Sequence, residues 1–197
     1  MVGLVGGIGA GKSAAAAAFA RRGGRVVDAD ALGHAALERP DVKRQLVAWW
    51  GPGVLKADGT ANRRAIAGVV FADPAERRRL EGLVYPHIGA RAAEAVRAAQ
   101  ADPAVRFVVL DAAVMLEAGW AGACDRVAFV DAPRAVRLAR VAARGWTDAD
   151  LAAREAAQLP LDEKKRRADA VVVNDGPPER LQARVDGLLA EWGLLPR

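Results

Sequence analysis

Apolar residues in this chain fall in short blocks, each ending on glycine or on a polar side chain. The first is VGLVG, Val2 to Gly6, uncharged and rich in β-branched residues. A run that is apolar at every position over four to eight residues fits a strand covered on both faces. Four more runs read the same way: RVVD ending at Asp28, RFVVLD from Arg106 to Asp111, RVAFVD from Arg126 to Asp131, and AVVVN from Ala170 to Asn174. All four end on Asp or Asn. Between the first two runs, KSAAAAAFARR has no breaker and stops at Gly23 and Gly24, which predicts a helix closed by glycine.

Strand, glycine loop, helix, strand is a βαβ unit, so its strands should be parallel and its crossover right-handed. Extended to all five runs, the pattern predicts an α/β fold with a parallel five-stranded sheet and flanking helices. In such open sheets ligands bind beyond the carboxyl ends of the strands, where the terminal Asp and Asn side chains fall.

The stretch from Asp30 to Pro103 is far longer than one crossover helix. Its NRRAIAGVVF and PAERRRLEGLVYPHIGARAAEAVRAAQ segments have helical character, punctuated by Pro and Gly. A helical lobe that holds a second substrate is expected here. After the fourth strand run, PRAVRLARVAARGWTDADLAAREAAQLPLDEKKRRAD predicts two or three arginine-dense helices. The expected organisation is one domain, with a core from 1–30, 103–136 and 169–197, a helical acceptor lobe over about 31–102, and a lid over about 137–168.

Composition narrows the chemistry. Every apolar run is broken well before the roughly 18 residues that a membrane helix needs, and the N-terminal piece lacks the basic start of a signal peptide. A cytoplasmic protein without membrane contact is expected. One cysteine, Cys124, and two histidines, His34 and His87, are too few for a structural zinc site or an internal disulfide. The net charge of +5 points to polyanionic partners. Nearly all of that positive charge is arginine, and lysine occurs only at 12, 43, 56, 164 and 165, so a lysine inside the glycine loop stands out from the background.

From Gly6 to Ser13 the chain reads G-x-x-x-x-G-K-S, the pattern of a phosphate-binding loop. Glycines let successive backbone amides turn inward around phosphate oxygens, and the helix that follows points its positive end at the same place. Lys12 can reach the β- and γ-phosphates, and the Ser13 hydroxyl can ligate Mg²⁺. The dinucleotide fingerprint G-x-G-x-x-G and the base-reading N-K-x-D of GTPases are both missing. A small kinase that passes the γ-phosphoryl group of ATP to a small acceptor is the class that remains.

Such an enzyme needs a group for the acceptor hydroxyl's proton, an acid near the metal and positive charge for the transferring group. Asp28 and Asp30 at the end of the second strand suit the first role, and each also suits a helix N-cap. Asp111 suits the second, or a solvent-facing strand end. Arg140 or Arg144, four apart on one helical face, suits the third as part of a mobile lid. The Arg77–Arg79 and Lys164–Arg167 runs read as solvated faces, and His34 and His87 have no evident partner. Other readings stay open: a nucleoside monophosphate type of kinase, or a basic nucleic-acid binder, although ten aromatic residues and no binding motif argue against the latter.

Over essentially its whole length the chain resembles the dephospho-coenzyme A kinase family. The carriers, in order, are GGIGAGKS, VVDAD, DGTANRRAIAGVVFADPAERRRLEGLVYPHI, LDAAVMLEAGW, RLARVAARGWTD and AQLPLDEKKRRADAVVVNDG. The resemblance implies ATP-dependent phosphorylation of the 3′-hydroxyl of dephospho-CoA, giving coenzyme A and ADP. It also implies a nucleotide-binding core, an acceptor lobe and a lid. Carried over by position, Gly9, Ala10, Gly11, Lys12, Ser13 and Ala14 would contact the ATP phosphates. Asp30 would be the base at the ribose hydroxyl, Arg140 a lid residue on ATP, and Asn174 a neighbour of the adenine. Arg64 and the YPHI helix would lie in the acceptor lobe, and Ser13 with Asp111 would serve Mg²⁺. Partners are then dephospho-CoA and ATP, without nucleic acid, in a monomer. The chain departs from the family pattern at Ala14, at Tyr85 before Pro86 and at Ala113.

Overall fold

A computed structural model of the protein describes residues 1–195. The chain divides into two compact units, one of Met1–Asp28 with Ala95–Arg197 and the other of Ala29–Glu94.

The first unit is built on a five-stranded sheet: β1 (Val2–Gly6), β2 (Gly24–Asp28), β3 (Phe107–Asp111), β4 (Arg126–Asp131) and β5 (Ala170–Val173). The order is β2-β3-β1-β4-β5 with every neighbouring pair parallel, as the five runs predict. Every residue of β1 and of β3 is buried, which is why both read as unbroken apolar runs. Register sets Leu4 against Asp111 and Gly6 against Val130, so the segment leaving β1 is flanked by the ends of β3 and β4.

Helix α1 (Lys12–Ala20) crosses from β1 to β2. It ends at Ala20, short of the two glycines: Gly23 makes the turn in the left-handed region, φ 88°, and Gly24 already opens β2. Phe19 of α1 meets Phe107 of β3 edge to face at 6.4 Å. With Leu4, Val109, Val130, Leu181, Val185 and Leu189 they form one apolar core. Each such side chain taken from water contributes about 1.5–3 kcal/mol.

In the second unit lie α2 (Ala29–Leu37), α3 (Pro40–Trp50), α4 (Arg63–Ala72) and most of α5 (Pro74–Ala101). Asn62 caps α4 by accepting from the Ala65 amide at 3.2 Å. Trp50 donates to Glu76 at 2.6 Å, and the Arg79 guanidinium lies over the Trp49 ring at 4.1 Å, so this arginine of the Arg77–Arg79 run is partly engaged with an aromatic surface. Buried Val42, Leu46, Val54, Ile66, Val84 and Ile88 make the interior. Helix α5 runs unbroken through Pro86, whose ring forfeits one amide donor.

The remaining helices belong to the first unit: α6 (Arg134–Ala142), α7 (Asp148–Ala156), α8 (Leu161–Arg166) and α9 (Pro178–Glu191). Thr147 and Asp150 form a reciprocal capping box at the start of α7. Among the described residues no helix is long and apolar enough to cross a membrane.

Candidate active site

The segment between β1 and α1 has the conformation that its glycines permit. Gly9 and Gly11 both lie at positive φ, 78° and 87°, a region that any side chain would strain. A Cβ at Gly9 would also come within 2.7 Å of the Arg137 carbonyl oxygen, and one at Gly11 would run into the Asn174 amide. Gly11 is the N-cap of α1. It supplies no side chain to cap the helix, and the first turn holds no acidic residue, so no side chain of the helix itself offsets the positive end of its dipole.

Lys12, the first residue of α1, turns its ammonium onto the Asp111 carboxylate at the end of β3. Asp111 is buried and Lys12 largely so, with side-chain exposures of 6% and 14%. Ser13 and Ala14 are exposed on the next positions. Lys12, Ser13 and Asp111 thus lie in one unit, at the carboxyl ends of adjacent central strands.

Helix α6 faces the same loop. Arg140 donates to the carbonyls of Gly9 at 3.3 Å and Ala10 at 3.0 Å, and through its other terminal nitrogen to Asn174 at 3.1 Å. The buried Asn174 side chain donates to Ala10 at 2.8 Å, so Arg140 and Asn174 hold the loop and each other. Arg144 does not share this face. The helix ends at Ala142, and Arg144 sits exposed in the turn beyond it. Next to Asn174, the Arg184 hydrogen bond holds the Asp175 carboxyl below its ordinary range, with Arg180 at 3.8 Å adding to the effect.

Asp30 and Arg64 belong to the other unit. Asp30 is exposed and lies in the first turn of α2, inside the helix rather than at the strand end, because β2 stops at Asp28 and α2 begins at the very next residue. Arg64 is exposed in the first turn of α4.

Two cations near the loop escape sequence reasoning. Arg137 is buried; it donates to Ala132 at 3.2 Å and Ile8 at 3.3 Å and pairs with Glu155 of α7. Lys164, expected on a solvated face, has no exposed side-chain surface. Its ammonium meets the Ala113 carbonyl and Gln158 Oε1, both at 2.9 Å, and Glu117 Oε1 at 2.8 Å, which accounts for all three of its donors.

These features are those of a strand–loop–helix nucleotide site, and comparison with known proteins supplies the family. The family model described as dephospho-CoA kinase matches residues 1–179. The chain belongs to the dephospho-CoA kinase family. It is 43% identical to a dephospho-CoA kinase of Anaeromyxobacter dehalogenans over 97% of this chain and 91% of that one. A Deinococcus radiodurans dephospho-CoA kinase is 41% identical over 96% and 91%. A Thermus thermophilus protein of known structure superposes with a TM-score of 0.80 at 34% identity, covering 96% of each chain. Fold and family therefore agree with what the loop and its neighbours display.

Proposed function

We propose that this chain is a dephospho-CoA kinase whose ATP lies on the Gly6–Ser13 loop and whose γ-phosphoryl group is handled by Lys12, with Asp30 acting on the acceptor hydroxyl. Family membership carries the overall reaction: ATP-dependent phosphorylation of dephospho-CoA, the closing step of coenzyme A formation. The observation that supports these roles is the pairing of Lys12 with Asp111 beneath a loop whose glycines adopt positive φ. An ammonium held there by a carboxylate is poised to exchange that partner for phosphate oxygens.

Phosphoryl transfer asks the protein mainly for positioning and charge neutralisation. The amides around Gly9 to Ser13 and the dipole end of α1 receive the phosphates. Lys12 spans the β- and γ-phosphates and neutralises charge as it moves. Arg140, already on the loop carbonyls, adds positive charge beside them, and Asn174 borders the nucleotide. Arg64 and Asp30 serve the acceptor, with Asp30 orienting the 3′-hydroxyl and taking its proton.

The Ser13 hydroxyl and the Asp111 carboxylate are hard oxygen donors, and among the described residues no cluster of three or more His, Cys, Asp or Glu side chains forms a closed metal cage. That donor set suits Mg²⁺, which keeps waters and takes its other ligands from substrate phosphates. When bound, the ion neutralises charge on the β- and γ-oxygens. A monomer acting in the cytoplasm completes the reading.

ADP release from ATP with dephospho-CoA, measured against AMP, CMP and shikimate as rival acceptors, tests the proposal. Turnover confined to dephospho-CoA is expected. Turnover with another acceptor instead would keep the kinase and overturn the substrate.

A further inference from the structure

We infer that Arg137 is a positioning residue for the nucleotide loop, fixing its carbonyl edge so that its amide edge faces the phosphates, and that Glu155 of α7 holds Arg137 in place. The inference rests on the reading of Gly6–Ser13 as the ATP site.

Three consecutive carbonyls of the loop accept from guanidinium groups of α6: Ile8 from Arg137, and Gly9 and Ala10 from Arg140. In a trans peptide the carbonyl of one residue and the amide of the next point in opposite directions. Carbonyls of 8, 9 and 10 directed at α6 therefore send the amides of 9, 10 and 11 away from it. The Ala10 amide closes a turn onto Gly7 at 3.0 Å. Those of Gly9 and Gly11 then face the side where an anion would sit, as a backbone nest requires. The arginines thus choose between two ways that a glycine-rich segment, free in φ, could turn.

Arg137 and Arg140 differ in what they can do besides this. Arg140 is partly exposed and has a second guanidinium nitrogen on Asn174, so it has reason to meet the nucleotide directly. Arg137 is buried, with its guanidinium engaged by Ala132, Ile8 and Glu155. Its own backbone also abuts the loop, since Gly9 has no room for a Cβ against the Arg137 carbonyl. A buried guanidinium that donates to a loop carbonyl acts through the shape of the loop. Glu155 supplies the opposite charge that makes its burial tolerable, and as a residue of α7 it ties the loop's shape to that helix.

The test measures ADP affinity by calorimetry, KM for ATP and for dephospho-CoA, amide hydrogen exchange over residues 8–11, and the melting temperature. Arg137→Met keeps an unbranched apolar stem in place of the arginine methylenes and removes the guanidinium donors. Loss of a charged hydrogen bond to the loop should weaken ADP binding and raise KM for ATP by about tenfold or more, speed exchange at Gly9 and Gly11, and leave KM for dephospho-CoA near the wild-type value. Arg137→Lys should recover little of this, because one ammonium cannot reproduce the fork across Ala132, Ile8 and Glu155. Full recovery by lysine would overturn the geometric role. If Arg137→Met does not fold, Glu155→Gln decides: it should weaken ADP about threefold or more, by releasing the guanidinium that holds Ile8. Unchanged ADP affinity, or a lowered melting temperature with both KM values intact, would reduce Arg137 to a packing residue. Wild-type protein that binds no ADP would instead overturn the reading of the site itself.

Discussion

Lys12 and Asp111 form an ion pair between the first residue of α1 and the last of β3, two elements joined through the central strand of the sheet. Because the carboxylate is buried, removing the ammonium costs stability as well as activity. Lys12→Ala is expected to lower kcat at least a hundredfold to a thousandfold, the scale seen when one preorganised donor is lost. It should also destabilise the fold by about 3–5 kcal/mol, as breaking a buried pair does. The double variant Lys12→Ala/Asp111→Asn should regain much of the stability and none of the activity. Thermal melts with ADP-release kinetics check both halves, and a Lys12→Ala protein that melts like the wild type would refute the energetic role of the pair.

Asp30 gives the opposite signature. It is exposed in the first turn of α2, where a carboxylate contributes no more than about 1 kcal/mol through the helix dipole. Asp30→Asn should therefore melt close to the wild type. If Asp30 takes the proton of the acceptor hydroxyl, kcat should fall by about a hundredfold to ten-thousandfold, with KM for ATP little changed. An Asp30→Asn enzyme of full activity would remove Asp30 from the chemistry and leave Asp28 as the next candidate.

Lys164 fastens the segment after β3 to the segment between α7 and α8, through Ala113 and Glu117 on one side and Gln158 on the other. Lys164→Met should take the ammonium from the Glu117 carboxylate, which keeps the Leu159 amide at 2.9 Å, and from the Ala113 and Gln158 acceptors. The expected loss is about 3–5 kcal/mol, which for a chain of this size lowers the melting temperature by on the order of 10 °C. Differential scanning calorimetry checks it, and an unshifted melting temperature would return Lys164 to the solvated face that the sequence suggested.

The parts legible in the sequence are those whose signal is local. Five apolar runs give five strands, since a strand covered on both faces must be apolar at each step. The G-x-x-x-x-G-K-S spacing gives the loop, because its two glycines are both required by the backbone: Gly11 lies at positive φ and Gly6 leaves no room for a Cβ against Val130. Asp111 was readable as a strand-end acid, but its partner was not, since the pairing depends on which strand lies beside β1. Arg137 and Lys164 were hidden for a related reason. Each looks like one more surface cation on a helix, and only the tertiary neighbours Ile8, Glu155 and Glu117 turn it into a buried one. The start of α2 is not legible because Asp28 and Asp30 are equally good helix starters, and the choice of Ala29 is made by where β2 stops pairing.

Cys124 offers a pH-dependent readout away from the loop. Burial, with a smaller contribution from the Asp125 carboxylate, pushes its thiol up to about 11 against the opposing pull of the N-terminal ammonium. At pH 8 the native thiolate fraction is then about a thousandth, against roughly a fifth for an unperturbed thiol near 8.5. Iodoacetamide should alkylate the native protein on the order of a hundredfold more slowly than the urea-unfolded chain, with the native rate rising about tenfold per pH unit up to pH 10. The same shift bears on stability with a definite sign. The folded state keeps the proton above the ordinary thiol range, so unfolding releases it, and stability contributed by the neutral thiol is lost as pH rises from the unfolded value towards the folded one. Between about pH 9 and 11 the wild type should therefore lose stability more steeply than Cys124→Ala. Equal slopes for the two proteins, together with native alkylation as fast as in urea, would show that the thiol is not held in the apolar setting beside Gly3 and Met115.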